Sequence, residues 1–212
     1  MYFRGDDWSL EIRPLRAAYQ IWQTKRVATQ RLARFPESAN TVAWLSAANR
    51  MDDALDVIER IVNRRPSRSA DAFRALSQDL FRVRTDQTHG YGERVDGLVA
   101  AARRRIPELE PEAAAALDIV LLSYDWLSSR DRNEAAARRR AVLERHAGTT
   151  AVRLAAVEIA IPGPPFSRQL QDLDAIADRE PGTVIAAKAK YTKASWLSHN
   201  DSALGPRVIE KI

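Results

Sequence analysis

The chain has 212 residues, 45% of them hydrophobic, with 33 basic and 28 acidic side chains giving a formal net charge of +5. Without cysteine it has no disulfides, zinc–thiolate sites or thiol catalysis, and its apolar content excludes a chain too polar to build a core. No stretch approaches the roughly 18 consecutive apolar residues of a membrane span, so a soluble, cytoplasmic protein is expected.

Abundant alanine, arginine, leucine and glutamate favour helices. After Pro14, the spacing of Leu15, Ala18, Tyr19 and Trp22 predicts a first helix to about Ala33, stopped by Phe35 and Pro36. Ser38 to Asn49 follows, with Val42 and Leu45 on one stripe. Met51, Ala54, Leu55, Ile58, Ile61 and Val62 then give a clear apolar face that ends before Pro66. The short polar turn between these two helices predicts antiparallel neighbours. Ser69 is placed to cap a helix carrying Phe73, Leu76, Leu80 and Phe81, which should end before the Thr85 to Gly92 segment. Gly90-Tyr91-Gly92 is conformationally permissive and predicts an irregularity in stacking.

Val95, Leu98, Val99, Ala102 and Ile106 mark a further helix, and Pro107 and Pro111 delimit its successor. From Glu112 to Ser128, Leu117, Val120, Leu121, Tyr124 and Leu127 form the main stripe. Ile119, Leu122 and Trp126 widen it, as in a helix covered on more than one side. Asp131 and Glu134 have capping-box spacing before a helix that stops near Ala147 and Gly148. Val152, Ala155, Ala156 and Ile159 support another, interrupted by the strong breaker Ile161-Pro-Gly-Pro-Pro165, whose brevity argues for a bend between repeats. Leu170, Leu173 and Ile176 define a helix before Pro181, and Ala187, Tyr191, Ala194 and Leu197 define the next. A last pattern, Leu204, Val208 and Ile212, stops inside a helix. The expectation is one irregular repeat domain over residues 1–212, either a fragment of a longer chain or closed by an oligomeric contact.

Between Phe35 and Pro66, Val42 and Leu45 suit a first helix, Ala54 a close helix approach, and Ile58 and Ile61 the following packing positions. With Pro66 at the end, this segment resembles the tetratricopeptide repeat family, whose unit is a helical pair of about 34 residues. A weaker echo runs from Pro111 to Ala147, with Arg139 where a large apolar residue belongs and Ala147 where the proline belongs. Another combines Leu173, Ile176 and Pro181 with Tyr191 and Ala194. The resemblance implies an all-α, right-handed solenoid of antiparallel hairpins. It also implies a concave groove that binds a peptide or partner helix.

Trp22, Trp44, Trp126 and Trp196 lie within helices, where packing is the simpler reading than ligand anchoring. Trp44, with Asn40 on the same helix, is still carried as a protein-binding candidate. Arg64, Arg65 and Arg68 form one basic cluster, Arg103, Arg104 and Arg105 a second, and Arg138, Arg139 and Arg140 a third. Consecutive helical positions diverge, so solvation and local pairing explain such runs unless they converge in the fold. The first two clusters are the anion-binding candidates, able to attract a phosphate backbone without choosing a sequence. Lys188, Lys190, Lys193 and Asn200 complete the protein-binding candidates. The resemblance implies that lysine and asparagine on first helices can take a peptide's terminal carboxylate.

His89, His146 and His199 lack metal-ligand spacing, and no phosphate-cradling loop, HExxH motif or nucleophile elbow accompanies them. No cofactor or metal is expected. The leading reading is a noncatalytic scaffold that recruits a protein. The alternatives are a nucleic-acid-binding helical-repeat protein and a regulatory module of a larger enzyme.

Overall fold

The computed structural model describes residues 7–79, 83, 89–128, 131–159 and 166–200. These residues form an all-α chain with no strand among them. Its helices are α1 (Asp7–Arg34), α2 (Ala39–Ala47), α3 (Met51–Arg64), α4 (Ser69–Leu76), α5 (Tyr91–Arg105), α6 (Pro111–Ser128), α7 (Arg132–Arg145), α8 (Thr150–Ile159), α9 (Phe166–Arg179) and α10 (Val184–Asn200). The chain forms two compact units, Met1–Arg139 and Arg140–Ile212, dividing within α7.

In the first unit α2 packs against α1, α3 and α4, while α3 lies against α5 and α4 against α6. Helices that alternate along the chain therefore contact one another, consistent with a helical-repeat arrangement. One core runs through them, with Val42, Leu45, Leu55, Ile58, Ile61, Phe73, Leu76, Leu117, Leu121 and Tyr124 fully buried. The apolar face read in α3 is buried throughout, as is the main stripe of α6 at Leu117, Val120, Leu121 and Tyr124.

Two helix ends show how backbone groups are satisfied. At the end of α2, the Arg50 N–H donates to the Leu45 carbonyl at 2.9 Å and the Asn49 N–H to the Ser46 carbonyl at 3.0 Å. This Schellman pairing needs a left-handed residue, and Asn49 supplies it at φ 58°. At the end of α4 the chain tightens into the 3-10 turn Ser77–Asp79, so the Ser77 N–H turns to the Arg74 carbonyl. The Phe73 carbonyl loses its helical donor and instead accepts the buried Tyr124 hydroxyl at 2.7 Å. The two rings meet edge to face, 5.3 Å between centroids and 84° between planes.

Polar links fasten the remaining joints. Ser46 donates to the Asp79 carboxylate. Arg94 on α5 pairs with Asp56, with Asp52 at 3.4 Å and with Glu59 at 3.9 Å, and the Tyr91 hydroxyl donates to Asp52 at 3.2 Å. Gly90, at φ 65°, supplies the left-handed residue at the start of α5.

Several sequence expectations need correction. The helix α1 begins at Asp7 and continues through Pro14, which removes one donor without ending the helix. Ser69 does not cap α4, because the 3-10 turn Pro66–Arg68 feeds directly into the helix and leaves Ser69 in helical geometry with its hydroxyl buried and unbonded. The helix itself ends at Leu76. By contrast, Asp131 does cap α7, accepting the Asn133 N–H at 2.8 Å. Leu80, Phe81, the 84–88 part of the predicted loop, residues 161–165 and the terminal pattern at Leu204, Val208 and Ile212 lie outside the described residues. So do the side chains of Leu15, Trp126, Leu127, His199 and Asn200.

In the second unit α10 packs against α8 and α9. Its core joins Val157 to Leu173, Ala177, Ile185, Ala186 and Ala189. Thr149 caps α8 and Thr183 caps α10, each hydroxyl accepting the N–H three residues on. The expected α10 stripe holds only in its second half: Ala194 is buried and Leu197 half-buried, but Ala187 and Tyr191 are exposed, and Ile185, Ala186 and Ala189 form the covered face before them.

A candidate interaction groove between α1 and α2

The second half of α1 has an unusual composition. From Ala17 to Phe35 it holds Lys25, Arg26, Arg31 and Arg34 and no aspartate or glutamate, with Tyr19 and Trp22 among them. Ala28 and Leu32 turn into the core, leaving the aromatic residues outside it. Tyr19 and Trp22 are 57% and 53% exposed, and Trp44 on α2 is 37% exposed. This overturns the packing expectation for Trp22, because no described element covers its side of α1.

Together these side chains border a groove of about 610 Å³, lined on α1 by residues from Tyr19 to Gln30 and on α2 by Trp44. Its geometry is braced from below. The buried Thr41 hydroxyl donates to the Phe35 carbonyl at 2.7 Å, fixing the corner between the helices. Arg50 donates to the Thr29 hydroxyl at 2.8 Å, tying α1 to the start of α3.

Within the groove the planar groups are layered. Tyr19 stacks on Trp22 with centroids 6.0 Å apart and planes 24° apart, and the Arg26 guanidinium sits 5.4 Å from the Trp22 ring centre. Gln23 donates to the Tyr19 hydroxyl at 2.8 Å. Beyond the groove lining, at the end of α1, Arg31 lies over Phe35 at 5.5 Å. Among the described residues Lys25, Arg26, Arg31 and Arg34 join no ion pair, so these cations face rings and solvent. Glu37 is the single acid between Ala17 and Arg50. Its two oxygens are taken by Arg64 and Arg65, each at 3.0 Å.

The sequence-derived candidates are distributed differently. Asn40 is exposed one turn before Trp44 on α2. Arg64 and Arg65 share Glu37, while Arg68 is exposed nearby. Arg103 reaches the Asp125 carboxylate, Arg105 pairs with Glu108 at 3.2 Å, and Arg104 is exposed, so the triplet fans out. Arg138 joins Arg103 on Asp125 at 3.4 Å and also holds Glu134 at 2.9 Å. Asp125 is only 9% exposed, making this a bolt between α5, α6 and α7. In the second unit Lys193 is held by Asp174 at 2.7 Å, Lys188 is half-buried and Lys190 is exposed. Tyr19, Gln23 and Arg26 are not among the sequence-derived site candidates. The signal that finds them is the acid-free run beside two aromatic residues.

Among the described residues no cluster of three metal-binding side chains is placed to hold an ion. No helix there is long and apolar enough to cross a membrane. No family model matches the chain, and neither the curated proteins nor the solved structures gave a match.

Proposed function

We propose that this chain is a noncatalytic interaction scaffold, built as a tetratricopeptide-like solenoid, that holds a peptide or partner helix in the groove between α1 and α2. The observation that carries this reading is the aromatic lining. In a unit that fully buries its other large apolar side chains on α2 to α4, Tyr19, Trp22 and Trp44 stand exposed around one concavity. Tryptophan and tyrosine concentrated in a pocket are the usual anchors of protein recognition. Support for the solenoid comes from the alternation of packed helices, α2 with α4, α4 with α6 and α3 with α5. The α2–α3 pair adds to it, with the two helices packed together and Ala54 fully buried.

Binding would proceed by burying an apolar partner side chain between the two tryptophans, with arginine and glutamine side chains setting its register. The test is affinity capture with the full chain alongside the Trp22→Ala/Trp44→Ala double variant. A partner retained by the parent and lost by the variant supports the reading. Equal retention by a folded variant sinks it.

A further inference from the structure

We propose that the occupant of the α1–α2 groove is an acidic peptide segment, with one aromatic or branched apolar residue flanked by aspartate or glutamate. This rests on the interaction reading above and adds the chemistry of the partner.

The first argument is charge complementarity. Ala17 to Phe35 carries a net +4 from Lys25, Arg26, Arg31 and Arg34, out of a net +5 for the whole chain. Other arginines of the first unit already face carboxylates, including Arg50 on Asp53, Arg74 on Asp71 and Arg94 on the α3 acids. Of the four cations Arg26 lines the groove itself, while Lys25, Arg31 and Arg34 sit beside it on the same acid-free stretch of chain. A cationic concavity of this kind draws in negative ligands and raises their association rate.

The second argument is the posture of the cations. A guanidinium lying over a ring spends its flat face on the ring and keeps its in-plane N–H donors pointing sideways. Arg26, its guanidinium carbon 5.4 Å from the centre of the Trp22 ring, is placed to reach a carboxylate that accompanies an apolar group at the tryptophan. Arg31 over Phe35 repeats the arrangement further along α1. A groove of about 610 Å³ is of ligand-pocket size and suits a few side chains.

The third argument separates a peptide from a nucleic acid. Single strands need a continuous basic track along which the phosphates run. Beyond this groove, Arg64 and Arg65 are closed by Glu37, and Arg103 and Arg138 by Asp125. A short acidic segment needs only the local patch.

The experiment is selection from a random-peptide display library on the full chain, repeated with Trp22→Ala and with the quadruple variant Lys25→Gln, Arg26→Gln, Arg31→Gln and Arg34→Gln. All these side chains lie outside the core, and circular dichroism confirms folding of each variant. Enriched peptides should carry excess aspartate and glutamate around an apolar anchor. The best of them, made synthetically, should bind Trp22→Ala about 30-fold more weakly. Its amide isostere, with Asn and Gln for Asp and Glu, should bind the parent about tenfold more weakly but bind the quadruple variant as well as the acidic peptide does. Trp22-dependent peptides without acidic enrichment would overturn the acidic partner and leave the groove standing. Absence of any Trp22-dependent peptide would remove both. A mixed-sequence single-stranded oligonucleotide that displaces the peptide and itself depends on Trp22 would replace the peptide with a nucleic acid.

Discussion

Replacing Tyr124 by phenylalanine isolates a single hydrogen bond in the centre of the first unit. The ring stays, its edge-to-face contact with Phe73 stays, and only the hydroxyl that caps the Phe73 carbonyl is lost. That carbonyl has no helical donor, because the 3-10 turn after α4 has redirected the Ser77 N–H to Arg74. Tyr124 is fully buried, so water does not replace the missing donor. An unpaired buried acceptor costs about 1–3 kcal/mol. For a unit of this size each kcal/mol lowers the melting temperature by ~2–4 °C. Urea denaturation of the full chain followed by circular dichroism reads the change directly, as a lower midpoint with an unchanged slope. Tyr124→Leu should cost more, since it also forfeits a ring pair worth about 0.5–1.5 kcal/mol and opens a cavity. If Tyr124→Phe unfolds at the parental midpoint, the account of the α4 end is wrong.

Three further perturbations probe other joints. Asn49→Ala places an ordinary side chain in the left-handed region that closes α2 and should cost ~1 kcal/mol, with Asn49→Gly remaining the more stable of the two by thermal melting. Trp22→Ala should leave stability within ~0.5 kcal/mol, because the residue is largely exposed, whereas Leu55→Ala in the buried face of α3 should cost ~2–5 kcal/mol. A similar cost for both in denaturation curves would mean that Trp22 is covered in solution. Arg94→Ala dissolves a network to Asp52, Asp56 and Glu59 and should lower stability by about 1 kcal/mol. The difference should shrink as added salt screens these exposed acids, which paired denaturation curves at low and high ionic strength would check.

Much of the fold is legible in the sequence because apolar spacing and chain breakers act locally. Met51 to Val62 reads as an amphipathic helix and is buried along that stripe, and Asp131 caps α7 as its spacing suggests. The misreadings have local causes too. Ser69 has a capping residue's chemistry, but Pro66 begins a turn that leaves it already helical. For the arginine runs the sequence leaves the pairing partners unnamed, and the fold supplies them: Glu37 for Arg64 and Arg65, Asp125 for Arg103 and Arg138. Those acids lie 27 residues from Arg64 and 22 from Arg103, so no local window pairs them.

The groove is hidden from periodicity for a different reason. Spacing identifies residues that share a helix face, but whether the face is buried depends on a second element arriving to cover it. Tyr19 and Trp22 keep helical spacing as faithfully as Ile58 and Ile61, yet the first pair is exposed and the second is fully buried. What distinguishes them in the sequence is charge. The α3 face is bordered by mixed acids and bases that can pair across neighbouring helices, as Asp52 and Asp56 do with Arg94. Around Tyr19 and Trp22 there are cations and no acid, so burial there would strand positive charge beside the core. An acid-free run of this kind therefore argues that the face carrying its cations stays outside the core, while Ala28 and Leu32 on the opposite face of the same run pack into it. It also specifies what a partner must bring: apolar surface for the rings and negative charge for the arginines.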